Sequence, residues 1–147
     1  MNVLILGNGG REHALAWKSS QDHDSKVFVA PGNGGTLLEE YITNLSIDIN
    51  DFDAVVATCK GHAIDLVIVG PEVPLVNGIV DFLSAKGISA FGPTAKAARL
   101  EGSKVFAKEF FEKYAIPTAS YQSFTNFEEA SDYAKSINYP IVIKADG

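Results

Sequence analysis

The sequence has 147 residues, 46% of them hydrophobic, and a formal net charge of -6. This length allows one compact domain and the start of a second. The acidic balance argues against a general surface for nucleic acid or anionic membrane, because both need clustered Lys and Arg. A single cysteine, Cys59, excludes an internal disulfide. The first apolar run begins next to Met1 and is too short to span a bilayer, so we expect a soluble, cytoplasmic protein.

Strand-like and helix-like segments alternate along the first part of the chain. Apolar runs predict strands at residues 2–6, 26–29, 65–69 and 88–91, with a weaker candidate at 42–47. Apolar residues at helical spacing predict helices at 51–60 and 75–86, the first capped by Asn50 and ended by Gly61. Such alternation implies a parallel sheet wound with helices, which is a Rossmann-like α/β domain.

The pattern changes after residue 91. We predict a helix capped by Thr94, then a second helix capped by Ser103 and ended by Pro117. The change in pattern favours a domain boundary near Ser103, which gives an N-terminal domain of residues 1–102 and a second segment of residues 103–147.

The last part of the chain contains two more predicted strands. The first lies at 120–124, and the second lies at 141–144. Between them, Thr125 and Glu128 form a capping-box pattern that predicts the start of a helix. Because the chain stops directly after a predicted strand, we expect it to be a fragment of a longer protein.

The first glycine-rich stretch joins a predicted strand to a helix. Gly7, Gly9 and Gly10 allow a close approach to the backbone, and the helix start favours an anion. Arg11 opposes the helix dipole, which indicates that it serves an anion. A dinucleotide fingerprint would need a small residue where Glu12 stands and an acid at the end of the second strand. A tight turn without a ligand is the remaining alternative.

Three further glycine-bearing loops follow predicted strands, at residues 31–36, 70–74 and 91–94. Loops at the carboxyl ends of parallel strands line the binding crevice of an open sheet. The first of these loops contains Asn33. Glu72 is the acid of the second, and we expect it either to accept hydrogen bonds from substrate hydroxyls or to be a solvated carboxylate. His13 is expected to be half-buried or to cap the helix.

Two lysines stand out in the second segment, Lys104 and Lys144. Lys144 ends the apolar run of residues 141–143, where an ammonium group would be partly buried and would need a counter-charge. A nucleotide phosphate is one candidate for that counter-charge, and Asp146 is the simplest structural alternative.

Taken together, the motifs resemble the ATP-grasp ligases and, more closely, the glycinamide ribonucleotide synthetase (phosphoribosylamine–glycine ligase) family. The stretches that carry the resemblance are GNGGREHAL at 7–15, APGNGGT at 30–36, DLVIVGPEVPLVNG at 65–78, FGPTAKAARLEGSKVFAK at 91–108 and YPIVIKADG at 139–147. They follow the family's order and cover the whole chain. The last two are shared more loosely with biotin carboxylase and other ATP-grasp enzymes, whereas the first three are specific.

The resemblance implies a pre-ATP-grasp domain, the start of an ATP-grasp domain, and a reaction of purine biosynthesis. ATP would phosphorylate glycine to glycyl phosphate, and 5-phosphoribosylamine would then attack it, giving glycinamide ribonucleotide, ADP and phosphate. The implied substrates are therefore phosphoribosylamine, glycine and ATP, with Mg or Mn ions to neutralise the phosphates. No nucleic acid or membrane partner is implied.

The resemblance also implies roles for particular residues. The substrate-binding residues would be Gly9, Gly10, Arg11, Asn33 and Glu72. Lys104 and Lys144 match lysines that reach ATP. The metal ligands and the catalytic groups are expected beyond Gly147, so the fragment alone would be inactive. Another ATP-grasp ligase or carboxylase, a nicotinamide- or nucleotide-binding Rossmann module and a bare structural domain are the rival interpretations.

Overall fold

The computed structural model describes residues 1–22 and 24–146. The chain forms two compact units, the first from Met1 to Ala98 and the second beginning at Arg99. Each unit has its own local architecture, and the sheet belongs to the first.

The first unit is built on a five-stranded parallel sheet. Its strands are β1 Asn2–Gly7, β2 Lys26–Pro31, β3 Ile42–Asn44, β4 Leu66–Val69 and β5 Ala90–Phe91. Their order is β3-β2-β1-β4-β5. Strands β2 and β3 therefore lie on one side of β1, and the chain then crosses over to place β4 and β5 on the other side. The predicted Rossmann-like fold is confirmed, and the weak strand candidate at 42–47 is a real but shorter strand.

Helices connect these strands and continue into the second unit. They are α1 Gly10–Ser20, α2 Phe52–Gly61, α3 Glu72–Val76, α4 Ile79–Ala85, α5 Ala95–Gly102, α6 Lys104–Lys113 and α7 Phe127–Ser136, with a short 3₁₀ helix at Thr36–Leu38. The predicted caps of α5 and α6 are confirmed. Thr94 Oγ1 accepts a hydrogen bond from the backbone of Ala97, and Ser103 Oγ accepts one from Phe106.

The predicted single helix at residues 75–86 is wrong, because two helices cover this part of the chain. Helix α3 ends at Val76, and α4 begins at Ile79. Gly78 lies between them with φ of 90°, in the left-handed region that a continuous right-handed helix cannot include. The apolar spacing spans both helices, which is why periodicity alone does not reveal the break.

The core of the first unit lies on both faces of the sheet, as alternation along β1 requires. Leu4 and Leu6 pack on one face with residues of α2 and α4, such as Val55 and Leu83. The other face holds a smaller cluster that includes Val3, Ile5, Ala16, Val27, Val29 and Ile42. Both faces of β1 are buried, so this strand is the centre of the unit.

Two predicted caps are wrong by one residue. Helix α2 is capped by Asp51, whose carboxylate accepts from Ala54 N–H at 3.0 Å, and not by Asn50. Helix α7 is capped by Asn126, whose side-chain oxygen accepts from Glu129 N–H at 3.2 Å, so the predicted capping box at Thr125 is not formed. In each case the helix begins one residue later than predicted, and the next capping residue takes the role.

The predicted strands at 120–124 and 141–144 are absent from the described part of the second unit, where both segments carry no strand assignment. A strand needs a hydrogen-bonded neighbour, and an isolated pair is at best marginally stable in water. Their sequences have the apolar character of strands, but no ladder forms. Val142 and Ile143 are 81% and 84% exposed.

Candidate functional site

The carboxyl ends of all five strands lie on one edge of the sheet in the first unit, because every strand pair is parallel. Helix α1 starts there after β1, and α3 starts there after β4. The five predicted substrate-binding residues are all found in these loops and helix starts: Gly9, Gly10, Arg11, Asn33 and Glu72. The structure therefore brings the candidates of the first unit to one place.

Asn33 connects two of these loops through its side chain. Its Nδ2 donates to the carbonyl oxygen of Asn8 at 2.9 Å, and its Oδ1 accepts from the backbone N–H groups of Gly35 and Thr36 at 2.8 and 3.0 Å. Asn33 N–H in turn donates to Oγ1 of the fully buried Thr36 at 2.8 Å. The amide thus uses both its donor and its acceptor ends to fix the loop after β2 against the loop after β1.

Arg11 and Glu72 form an ion pair across the crevice between β1 and β4. Arg11 Nη2 donates to Glu72 Oε1 at 2.8 Å, and the side chains are 69% and 41% exposed. The hydrogen bond from Arg11 lowers the pKa of the Glu72 carboxyl, and a hydrogen bond from the backbone of Glu72 lowers it further. The position of Arg11 at a helix start indicated that it serves an anion. In the structure that anion is the Glu72 carboxylate of the same chain.

Glu12 lies buried beneath this pair, with 4% of its surface exposed. Its Oε2 accepts from the backbone N–H of Gly9, the N-cap of α1, at 2.7 Å. Its Oε1 lies 4.0 Å from Arg11 Nε and has no hydrogen-bond partner among the described residues. The residue that breaks the dinucleotide fingerprint is therefore a structural part of the site.

His13 is half-buried, as one of its two sequence-based interpretations predicted. Its Nε2 lies 3.0 Å from Oε1 of Glu39, just beyond the 3₁₀ helix, and both side chains are about one-third exposed at 30% and 33%. The pair ties the first turn of α1 to the far end of the loop after β2.

An open depression of about 380 Å³ lies on the same sheet edge. Asn8 and Pro31 line it from the loops after β1 and β2, while Asp48, Asn50 and Pro71 line it from the segments after β3 and β4. Its lining is mainly apolar, with Asn8, Asp48 and Asn50 as the polar members, and it contains neither Arg11 nor Glu72.

Lys104 and Lys144 belong to the second unit, where Lys104 is the first residue of α6. The Asp146 carboxylate accepts from Ser103 Oγ at 3.0 Å and from Val105 N–H at 3.1 Å, which places the segment that carries Lys144 beside the start of this helix. Lys144 is exposed, so the expected partial burial of its ammonium group is wrong. Burial fails because no sheet forms around residues 141–144 in the described chain.

Glu12 had no predicted role beyond its mismatch with the dinucleotide fingerprint, and Thr36 had none. A signal for each is visible in the chain. Glu12 stands three residues after Gly9, at the spacing of a capping-box acid, and Thr36 stands three residues after Asn33, at the spacing of a local side-chain turn.

The described residues contain no group of three or more His, Cys, Asp or Glu that could hold a metal ion. Within the same residues, no helix is long and apolar enough to cross a membrane.

Curated relatives match the chain along its whole length. The phosphoribosylamine–glycine ligases of Pasteurella multocida (strain Pm70) and Escherichia coli (strain K12) are each 55% identical to it, over all of this chain and 34% of their own length. The chain therefore spans about one-third of the length of these relatives.

Solved structures with the same fold include more distant enzymes. The biotin carboxylase domain of Hydrogenobacter thermophilus 2-oxoglutarate carboxylase matches with a TM-score of 0.63 at 18% identity, over 95% of this chain and 33% of that one. The phosphoribosylglycinamide synthetase of Anaerococcus prevotii matches with a TM-score of 0.57 at 22% identity, over 95% of this chain and 35% of that one. Both likenesses show the fold alone.

Two family models divide the chain between them. Residues 102–147 match the ATP-grasp (A) domain of phosphoribosylglycinamide synthetase, and residues 1–101 match its N domain. The match to the N domain covers most of the chain and includes every candidate residue on the sheet edge. The chain therefore belongs to the phosphoribosylglycinamide synthetase family.

Proposed function

We propose that the protein containing this chain is an ATP-dependent ligase that joins glycine to 5-phosphoribosylamine, a step of purine synthesis. The observation that carries the proposal is the match of relatives named phosphoribosylamine–glycine ligase at 55% identity over the whole chain. In this proposal residues 1–102 form the N-terminal domain, residues from 103 onward begin the ATP-grasp domain, and the protein acts in the cytoplasm.

The proposed chemistry proceeds in two transfers. A carboxylate oxygen of glycine attacks the γ-phosphorus of ATP, which forms glycyl phosphate and releases ADP. The amine of phosphoribosylamine then attacks the acyl carbon, phosphate leaves with the bonding electrons, and the nitrogen loses a proton. Such a reaction depends mainly on positioning and on neutralising phosphate charge.

On the acceptor side, we propose that Glu72 binds hydroxyl groups of the ribose. Its lowered pKa keeps the carboxyl ionised and therefore acceptor-only at neutral pH. A carboxylate offers about four lone-pair sites, so Glu72 can keep its hydrogen bond to Arg11 and still accept from a substrate hydroxyl. The position of Glu72 supports this assignment, because it directly follows Pro71, which lines the open depression on the same sheet edge.

Gly9, Gly10 and Arg11 would form the neighbouring wall of the acceptor site. Gly9 and Gly10 add no side chain of their own to this wall, and a Cβ on Gly10 would meet nothing within 4 Å. Asn33 acts in this proposal as a positioning residue, because its amide is engaged with Asn8, Gly35 and Thr36. It would shape the wall without contacting the substrate.

On the nucleotide side, we propose that Lys104 and Lys144 contribute cationic donors to ATP phosphates. The binding of Asp146 to the start of α6 supports this, since it keeps the segment of Lys144 near the helix turn that carries Lys104. Lysine is a flexible point charge with three donors, which suits a phosphate. Mg or Mn ions that neutralise the phosphates would, in this proposal, be held by residues beyond Gly147, as the family resemblance implies.

The test uses the full-length protein and measures ADP release by a coupled assay. ADP should form only when glycine and phosphoribosylamine are both present with ATP. A carboxylase is the second candidate, favoured only by the fold it shares with biotin carboxylase domains. Bicarbonate-dependent ADP formation without glycine would therefore exclude the proposed ligase and support that candidate.

A further inference from the structure

Glu12 occupies the point of the sheet where the strand order reverses. It follows β1 in sequence, and its side chain reaches towards Gly70, directly after β4. In open parallel sheets this crevice between the two central strands is where ligands bind. Here the buried carboxylate of the chain itself fills the position.

The carboxylate also takes the place of a bound anion at the start of α1. In nucleotide-binding folds, the free N–H groups and dipole of this helix hold a phosphate. In this chain the N–H of Gly9 donates to Glu12 Oε2 at 2.7 Å, so its hydrogen-bonding capacity is already used. A phosphate placed there would overlap the Glu12 side chain and meet its negative charge.

The surrounding glycines accommodate this side chain. A Cβ on Gly70 would lie 2.6 Å from Glu12 Cδ, and a Cβ on Gly9 would lie 2.8 Å from Glu12 Oε2. These distances are shorter than any ordinary van der Waals contact. The small residues of the two loops therefore serve Glu12, and the Gly70 loop leads directly to Glu72.

We propose that Glu12 is a specificity-determining and positioning residue. Its carboxylate closes the crevice between β1 and β4 to nucleotide phosphates, and it holds together the loops that carry Gly9 and Glu72. The closed crevice explains why the sheet edge can serve as the wall of an acceptor site although it retains the glycine turn of a dinucleotide fold. The role of Glu12 in binding the acceptor substrate rests on the proposed function, whereas the closure of the crevice to nucleotide phosphates does not.

The first test is a double-mutant cycle on the thermal stability of the full-length protein. Gly70→Ala should lower the Tm in the wild-type background and much less in the Glu12→Ala background, since the clash involves the Glu12 side chain. Gly32→Ala is the control, because a Cβ there would lie 2.7 Å from Asn44 Cγ and a φ of 73° strains any other residue, so this change should destabilise both backgrounds equally. Equal effects of Gly70→Ala in the two backgrounds would overturn the proposal.

The second test separates closure from charge by titrating the full-length protein with NADH in saturating ATP, following NADH fluorescence. Wild type and Glu12→Gln, which keeps the side-chain volume, should bind poorly. Glu12→Ala should bind at least about tenfold more tightly. An NADH affinity for Glu12→Ala equal to that of the wild type would overturn the closure of the crevice.

The third test is kinetic and uses the same variants. Glu12→Ala should raise the KM for phosphoribosylamine about tenfold and leave the KM for ATP unchanged, and Glu12→Gln should restore it to within about twofold of wild type. If Glu72→Ala raises the KM for phosphoribosylamine but Glu12→Ala leaves it unchanged, the positioning role of Glu12 is overturned. If Glu72→Ala also leaves it unchanged, the assignment of the acceptor site fails, while the stability cycle and the NADH titration still decide the closure.

Discussion

The two units of this chain differ in how far they bury their own apolar residues. The first unit encloses β1 so completely that Leu4 and Ile5 have no exposed surface. In the described part of the second unit, Ala107 is the one buried residue, and Ile143 is 84% exposed. Both units form helices with side-chain caps, yet among the residues that the structure describes a sheet forms only in the first unit.

This difference shows which signals in a sequence act locally. A helix needs hydrogen bonds within a few residues, so Ser103 caps α6 as the pattern predicts. A strand needs a neighbour that can be far away in sequence, so an apolar run predicts it only where the partner is present. The run at residues 141–144 has the composition of a strand without its pairing.

The largest expected effect compares one core residue from each unit. Leu4→Ala should lower the free energy of unfolding of the 147-residue chain by about 2–5 kcal/mol, because it leaves a cavity between the sheet and its helices. Ile143→Ala should change it by less than about 0.5 kcal/mol, because the side chain is exposed. Urea denaturation followed by circular dichroism measures both. A comparable loss in the two variants would mean that residues 141–144 pack more tightly than this structure shows.

The second prediction compares the proposed roles of the two units in the full-length enzyme. Glu72→Ala should raise the KM for phosphoribosylamine by roughly ten- to a hundredfold, the loss of about 1.5–3 kcal/mol for a hydrogen bond to a charged group. The KM for glycine should change little. Steady-state kinetics with each substrate varied in turn measures this.

Lys144→Ala is the counterpart in the second unit. It should weaken ATP binding in calorimetry by about tenfold or more, because a cation beside a phosphate is lost. Lys135→Ala, on α7, is the control and should bind ATP as wild type does. If Lys144→Ala binds ATP with wild-type affinity, the lysine has no part in the nucleotide site. For the preceding prediction, an unchanged KM for phosphoribosylamine in Glu72→Ala would remove Glu72 from the acceptor site.

The third prediction concerns the helix caps. Asp51→Ala should lower the stability of the 147-residue chain by about 1 kcal/mol, because α2 packs into the core through Val55. Asn126→Ala should instead increase hydrogen exchange in the first turn of α7 with little global effect, since no described residue of that helix is buried.

The neighbouring residues are the controls for these caps. Asn50→Ala and Thr125→Ala should each be nearly neutral, because their side chains do not cap the helices. A larger effect of Thr125→Ala than of Asn126→Ala on exchange in α7 would restore the capping box that the sequence predicted.

Much of the fold could be predicted because the strands of the first unit are apolar runs and the helices between them are amphipathic. The features that could not be predicted are those that leave the spacing of apolar residues unchanged. The break at Gly78 depends on one left-handed residue inside a continuous apolar spacing. The cap errors arose where two adjacent residues, such as Asn50 and Asp51, are equally able to cap, so only the first helical residue decides between them.

The candidate site was only partly predictable for a different reason. The position of each loop follows from the rule that ligands bind at the carboxyl ends of parallel strands. The contacts depend on residues far apart in the chain, since Arg11 and Glu72 are separated by 61 positions and Asn33 and Asn8 by 25. Glu12 looked like a mismatch with a glycine fingerprint because its partner, Gly70, could be identified only from the folded sheet.

The smallest expected effect is that of the ion pair on the sheet edge. Arg11→Ala should lower the stability of the 147-residue chain by about 0.5 kcal/mol at neutral pH, because the pair is solvent-exposed. Lys135→Ala, which removes the more exposed Lys135–Asp132 pair of the second unit, should cost no more than this. Raising the salt concentration to about 1 M should reduce both effects through screening.

The stability contributed by the Arg11–Glu72 pair should depend on pH in a direction set by the shifted pKa of Glu72. The folded-state pKa of Glu72 is lowered, so the stability contributed by its ionised form is fully present above the unfolded pKa of about 4.3 and is lost as the pH falls through the folded value. The stability difference between wild type and Arg11→Ala should therefore be constant from about pH 7 to pH 6 and should shrink on acidification below about pH 4. Urea denaturation at each pH measures it, with Glu72→Gln as the variant that should show no such dependence on Arg11. A difference that persists after the carboxyl is protonated would show that Arg11 stabilises the loop through packing of its side chain, so that the ion pair itself contributes nothing measurable.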